Sequence, residues 1–145
     1  MFLNILVAVD GSGSSHRALE HAIDVARAMR SKLTLVTVAP PTSHYVTLAG
    51  VSSETMERQL ARWAEKTLEE ADALVPDDVI AHRVQLSGHA GPEIVAELER
   101  GSYDLVVLGS RGRGRAQEGL LGSVNLYLHF HCRVPLRLPQ AWPSS

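Results

Sequence analysis

Cysteine is almost absent from this 145-residue chain. Cys132 stands alone, so no intramolecular disulfide can form, which fits a reducing compartment. Lysine is nearly as scarce. Lys32 and Lys66 are the only examples, and most of the positive charge is arginine. Neither lysine stands in a G-x4-G-K-[ST] context, which excludes a Walker A loop. Basic charge is not in excess either: the formal net charge is −2, which argues against a general binder of nucleic acid or membrane surfaces. No apolar run is long enough to span a bilayer. The stretch Met1 to Val7 lacks the basic start and small-residue cleavage site of a signal peptide. These absences predict a cytoplasmic protein with neither nucleic acid nor a membrane as partner. Internal repeats, low-complexity segments and an interdomain linker are also missing. The expected organisation is one domain over residues 1–139 and a short tail at 140–145.

What remains is ordinary globular composition, 45% hydrophobic and 21% charged, arranged in a regular alternation. Leu3 to Val9 is a short apolar run ending in Asp10-Gly11-Ser12-Gly13, the pattern of a buried parallel strand and its turn. Ser14 or Ser15 is placed to cap the next helix, whose apolar face is Leu19, Ala22, Ile23, Ala26 and Met29. Leu33 to Val38 reads as a second strand, stopped by Pro40-Pro41, and Pro40 to Val51 as a loop. A second helix turns Met56, Leu60, Trp63, Ala71 and Leu74 inward, with Trp63 read as a core residue. Val79 to Leu86 is the third strand. Pro92 sits in the first turn of a helix carrying Ile94, Val95 and Leu98. Leu105 to Leu108, continuous and apolar, reads as a central strand. Leu121, Val124 and Leu128 face inward from a fourth helix, and Val134 to Leu138 is the last strand. Strands alternating with helices predict an α/β fold, a mostly parallel sheet with helices on both faces. Ligands of such sheets bind at the carboxyl ends of the strands, where strand order reverses. The Asp10 turn and the segment after Leu108 both lie on that edge.

The segment after Leu108 reads G-S-R-G-R-G-R-A-Q-E-G-L-L-G-S from Gly109 to Ser123. Strand, glycine-rich loop and helix start in that order make a cradle of backbone N–H groups for an anion. Arg111, Arg113 and Arg115 add positive charge, so the loop reads as a phosphate site. Several other chemistries fail on particular residues. A dinucleotide fingerprint beginning at Gly11-Ser12-Gly13 has His16 where its third glycine belongs. A phosphoacceptor domain needs an acidic residue where this chain has Gln85-Leu86-Ser87. His129, His131 and Cys132 have no evident fourth ligand for zinc. Arginines within one short loop of an acidic chain suit phosphates better than RNA.

The spacing G-x2-G-x9-G-[ST], set by Gly109, Gly112, Gly122 and Ser123 after D-L-V-V-L-G, resembles the ATP-binding branch of the universal stress protein family. The opening I-L-V-A-V-D-G-S and the segment G-H-A-G-P-E-I from Gly88 also match, so the resemblance covers nearly the whole chain. It implies a doubly wound, five-stranded parallel sheet in the order 3-2-1-4-5, similar to the adenine nucleotide alpha hydrolases. It also implies ATP, or AMP or ADP, held across the strand ends, with Mg²⁺ bridged by the phosphates. By the same resemblance Val9 and Asp10 lie by the ribose and adenine, and the backbone of Val38 faces the adenine. Gly109, Ser110, Arg111 and Gly112 wrap the phosphates, and Gly122, Ser123 and Val124 meet them from the helix start. A carboxylate accepts from hydroxyls, and glycines expose N–H groups, so each role suits its residue. No catalytic residue and no metal ligand is assigned.

The resemblance further implies a homodimer through the last strand, where Arg137 and Pro139 depart from the family's apolar run and weaken the pairing. The expected function is a nucleotide-binding stress sensor or regulator without fast catalysis. A slow ATP hydrolase or phosphoryl-transfer protein using Asp10, and an interaction protein that binds no nucleotide, are the alternatives.

Overall fold

The computed structural model describes residues 4–42, 52–109 and 123–139. Among the described residues five strands and four helices alternate: β1 (Asn4–Ala8), α1 (Gly13–Met29), β2 (Lys32–Ala39), α2 (Ser53–Ala73), β3 (Ala81–Ser87), α3 (Ala90–Arg100), β4 (Leu105–Val107), α4 (Ser123–His131) and β5 (Leu136–Arg137). All pairs are parallel, in the order β3-β2-β1-β4-β5. The expected α/β sheet and its strand order are thus present. Strand order reverses between β1 and β4, which are hydrogen-bonded neighbours through Ile5–Leu105 to Val7–Val107.

The central strands carry apolar side chains on both faces because both faces are covered. Ile5, Val7, Leu33, Leu35 and Val107 join the core beneath α1 and α2. Leu6, Val36 and Val106 join a second core with Ile94 and Leu98 of α3 and Leu128 of α4. Gly91 lets α3 and α4 approach closely: a Cβ there would lie 2.8 Å from the Tyr127 ring. That contact gives a physical reason for the second glycine of G-H-A-G-P-E-I.

Four local expectations are corrected. The N-cap of α1 is Ser12, in extended conformation at φ −78° and ψ 161°, and Ser14 and Ser15 are already helical. Ser12 Oγ accepts from the Ser15 N–H at 3.1 Å, the geometry a cap requires. Met29 is half exposed, because it ends α1 next to Arg30, whose left-handed φ of 55° turns the chain. Leu74 is also half exposed: it is the C-cap of α2, past the last helical residue, where the helical period no longer sets direction. Val75 packs against the core in its stead. The last strand is two residues long, Leu136–Arg137, within the expected Val134 to Leu138. Of the expected Pro40 to Val51 loop, residues 43–51 lie outside the described residues, as does Leu121.

At the amino edge of the sheet a polar cluster closes the fold. The Asn4 N–H donates to Asp104 Oδ2 at 2.8 Å, joining β1 to the approach of β4. Glu97 is buried on α3, and both its oxygens are used. Tyr103 Oη donates to Oε2 at 2.7 Å and Arg100 Nη2 to Oε1 at 2.7 Å. Burial, helped by the bond to Glu97, pushes the Tyr103 hydroxyl up to about 12.

Candidate nucleotide site at the carboxyl edge

The site is built on two loops that leave adjacent strands. The first follows β1. Gly11 has φ +84°, a left-handed conformation that L side chains rarely adopt, and it turns the chain back toward α1. Asp10 Oδ1 accepts from the Ser12 N–H at 2.9 Å, which fixes the carboxylate at the edge of the sheet. Ser15 Oγ accepts from the Asp10 N–H at 3.2 Å and donates to the Ser12 carbonyl at 3.2 Å. Ser15, one of the two serines that the sequence offered as caps, therefore braces the Asp10 turn from inside the helix.

The second loop follows β4. A Cβ on Gly109 would stand 2.7 Å from the Ser14 carbonyl carbon and would collide with Ser14 Oγ. Only a glycine allows the end of β4 to come this close to the start of α1. From the other side Asn125 Nδ2 donates to the Gly109 carbonyl at 3.0 Å, and Asn125 is buried. Three segments distant in sequence (the β1–α1 turn, the end of β4 and the first turn of α4) are thus locked together at the reversal of strand order. That is where an open parallel sheet binds ligands. The start of α1 faces the same edge, and helix N-termini favour anions.

The expected site residues distribute as follows. Asp10 is at the edge. Val9 lies there too, but its side chain is in the core and its N–H donates to the Val36 carbonyl at 2.8 Å. Val38 is the penultimate residue of β2, paired with Leu86, and its side chain packs toward α3 and α4. Val124 lies in the first turn of α4, packed against the same core. Ser123 begins that helix. Ser110, Arg111, Gly112 and Gly122 lie outside the described residues.

Sequence reasoning missed Asn125 and misread Trp63. The signal for Asn125 was there: a polar residue next to Val124 on a helix whose inward side is apolar. Trp63 is half-buried, because it lines a cleft of about 410 Å³ with Asp10, Gly11 and Ser12 on one side and α2 on the other. Thr67, one turn along, is buried in the same wall.

His129, His131 and Cys132 do not converge. His131 stacks on Tyr127, with ring centroids 4.1 Å apart, and Cys132 Sγ donates to the Val134 carbonyl at 3.2 Å. Among the described residues no group of three His, Cys, Asp or Glu side chains could hold a metal ion.

The model of the universal stress protein family matches residues 1–137. The chain belongs to that family. A universal stress protein of Thermus aquaticus, encoded in the QAH/OAS sulfhydrylase 3′ region, is 34% identical over 125 residues, covering 85% of this chain and 88% of its own. Among solved structures, the protein MJ0577 superposes with a TM-score of 0.84 at 21% identity, covering 99% of both chains. A universal stress protein family protein of Arabidopsis thaliana, solved with AMP bound, superposes with a TM-score of 0.60 at 20% identity, covering 94% of this chain and 90% of its own. At these identities the superpositions speak for the shared fold. Among the described residues no helix of this family member is long and apolar enough to cross a membrane.

Proposed function

We propose that this universal stress protein binds an adenine nucleotide (ATP, ADP or AMP) at the carboxyl edge and acts as a nucleotide-dependent stress regulator without fast turnover. The observation that carries this reading is the convergence of Ser14, Gly109 and Asn125. It brings the Asp10 turn and the base of the glycine-rich loop together at one point of the carboxyl edge. The AMP in the Arabidopsis relative supports it by analogy of fold.

In this reading Asp10 accepts from ribose hydroxyls, and the backbone of Val9 and Val38 borders the base. Ser110, Arg111, Gly112, Gly122, Ser123 and Val124 surround the phosphates with N–H, hydroxyl and guanidinium donors. Mg²⁺, when present, neutralises phosphate charge, and the phosphates themselves are its ligands. The cytoplasmic setting and a homodimer through β5 belong to the same reading. Asp10 Oδ1 is already engaged by the Ser12 N–H, which suits a fixed acceptor for hydroxyls better than a mobile catalytic base.

The test is calorimetric titration of nucleotide-stripped protein with ATP and AMP. Saturable binding below millimolar concentration is expected. An absence of binding in that range refutes the reading.

A further inference from the structure

Among the described strands β5 is the shortest, and it forms one edge of the sheet. Two main-chain hydrogen bonds tie it to β4: the Val106 N–H donates to the Pro135 carbonyl and the Leu108 N–H to the Arg137 carbonyl, at 3.0 Å each. Its two faces are anchored differently. Leu136 packs into the core shared with α3 and α4. Arg137 pairs with Val107, which lies beneath α1, and its side chain reaches that helix. There Arg137 Nε donates to His21 Nε2 at 3.3 Å.

A guanidinium has donors only, so this bond exists only while His21 Nε2 keeps its lone pair and the ring proton sits on Nδ1. A protonated imidazole has no acceptor and sets a second cation against the guanidinium. An apolar residue at position 137 would cover this face at any pH. Arginine makes the hold conditional on one titratable acceptor. The other charges around His21 leave that dependence to Arg137. On α1, Arg17 stands one turn earlier, but its Nη1 turns back to within 3.7 Å of where a Cβ on Gly13 would stand. Asp24 stands three residues later and forms no ion pair with His21 among the described residues. The strands beneath α1 present Ile5, Val7, Leu33, Leu35 and Val107, and α2 adds apolar residues to the same core. The ion pair of Arg27 with Asp78 lies six residues further along α1.

We propose that the His21–Arg137 pair is a proton-operated latch on β5. Neutral His21 holds the strand to α1. As pH falls through the range in which histidine gains its charge, the bond is lost, and β5 keeps only its main-chain bonds and the Leu136 anchor. The hold is therefore present on the alkaline side of that range and absent on the acid side. Leu108, whose N–H the Arg137 carbonyl accepts, directly precedes Gly109, so the latch bears on the root of the glycine-rich loop. It is independent of whether a nucleotide binds there.

The test follows amide exchange of the full chain by NMR from about pH 8 to about pH 5, with the intrinsic pH dependence of exchange divided out. Protection of the Leu108 amide, measured against the amides of β1, should fall by about two- to tenfold toward acid, the scale of one hydrogen bond. His21→Gln offers an amide oxygen that does not titrate, so its Leu108 protection should stay level across the range. Arg137→Leu, which replaces the latch with apolar cover, should stay level too. In the wild-type protein at the alkaline end, nitrogen shifts of the His21 ring should place its proton on Nδ1. Level protection in the wild type, or an equal acid loss in His21→Gln, overturns the latch. A neutral His21 carrying its proton on Nε2 overturns it as well, and that measurement needs no variant.

Discussion

Gly109 and Ser14 touch backbone to backbone: a single added methyl group at Gly109 would lie 2.7 Å from the Ser14 carbonyl carbon. The contact joins the first residue of the glycine-rich loop to the first turn of α1. Beyond the Ser14 hydroxyl, the other two nearest atoms are the Ser14 carbonyl carbon and oxygen, and main-chain atoms cannot swing aside as a flexible side chain would. Gly109→Ala should destabilise the protein by about 1–3 kcal/mol, the range for overpacking a close-packed site. It should also weaken nucleotide binding, because the two loops must separate. Urea denaturation and calorimetry check the two effects, and a wild-type midpoint together with wild-type affinity would contradict the contact.

Asn125 supplies the other half of the lock. Asn125→Ala removes the donor to the Gly109 carbonyl and leaves that acceptor unmatched on this side, at a cost of about 1–3 kcal/mol. The α4 helix should also loosen locally. Hydrogen exchange of its first-turn amides, compared between the two proteins, is the direct measurement, and equal protection would argue against the role.

Tyr103 titrates late. Its hydroxyl, pushed up to about 12 by burial and by its bond to Glu97, stays protonated in the folded state where a free tyrosine near 10 has ionised. The sign follows from linkage: the stabilisation is complete below pH 10 and is lost as pH rises from about 10 through about 12, because only the unfolded chain releases the proton there. Absorbance near 295 nm should show one tyrosine with this late midpoint. Tyr103→Phe should lose the corresponding part of the alkaline decline in stability. A midpoint near 10 for every tyrosine would rule it out.

The β5 edge bears on the proposed homodimer. The carbonyls of Pro135 and Arg137 accept from the Val106 and Leu108 N–H groups at 3.0 Å each, so these two residues face β4. By the period of two, Leu136 presents its N–H and carbonyl outward. Pro135 therefore takes no donor from the outer edge, and Leu136 is the position at which a proline would. Leu136→Pro should dissociate a dimer that Pro139→Val leaves intact. Sedimentation of both variants against wild type decides it, and a dimer that persists in Leu136→Pro moves the interface elsewhere.

Much of this was legible in the residues. The apolar runs at Leu3 to Val9, Leu33 to Val38 and Leu105 to Leu108, separated by stretches of helical period, dictated an α/β sheet. Burial on both faces forces continuous apolar strands, and burial on one face forces an apolar stripe on a helix. The spacing of Gly109, Gly112, Gly122 and Ser123 pointed to the family, and at Gly109 the physical reason is visible, since a Cβ there would meet Ser14.

Side-chain direction at element ends was not legible. Met29, Leu74 and the true cap Ser12 all sit where helical periodicity stops, and there the local turn decides. Nor could the chain order show that Ser14 and Asn125 would meet at Gly109, or that Trp63 would stand across a cleft from Asp10 and not within the core. Periodicity tells which side of an element is apolar. Which distant element comes to lie against that side is decided by the packing of the sheet and its helices. For this protein, sequence alone determined the sheet and the family. Tertiary structure decided which residues share the carboxyl edge, because that depends on how closely backbones far apart in the chain can approach.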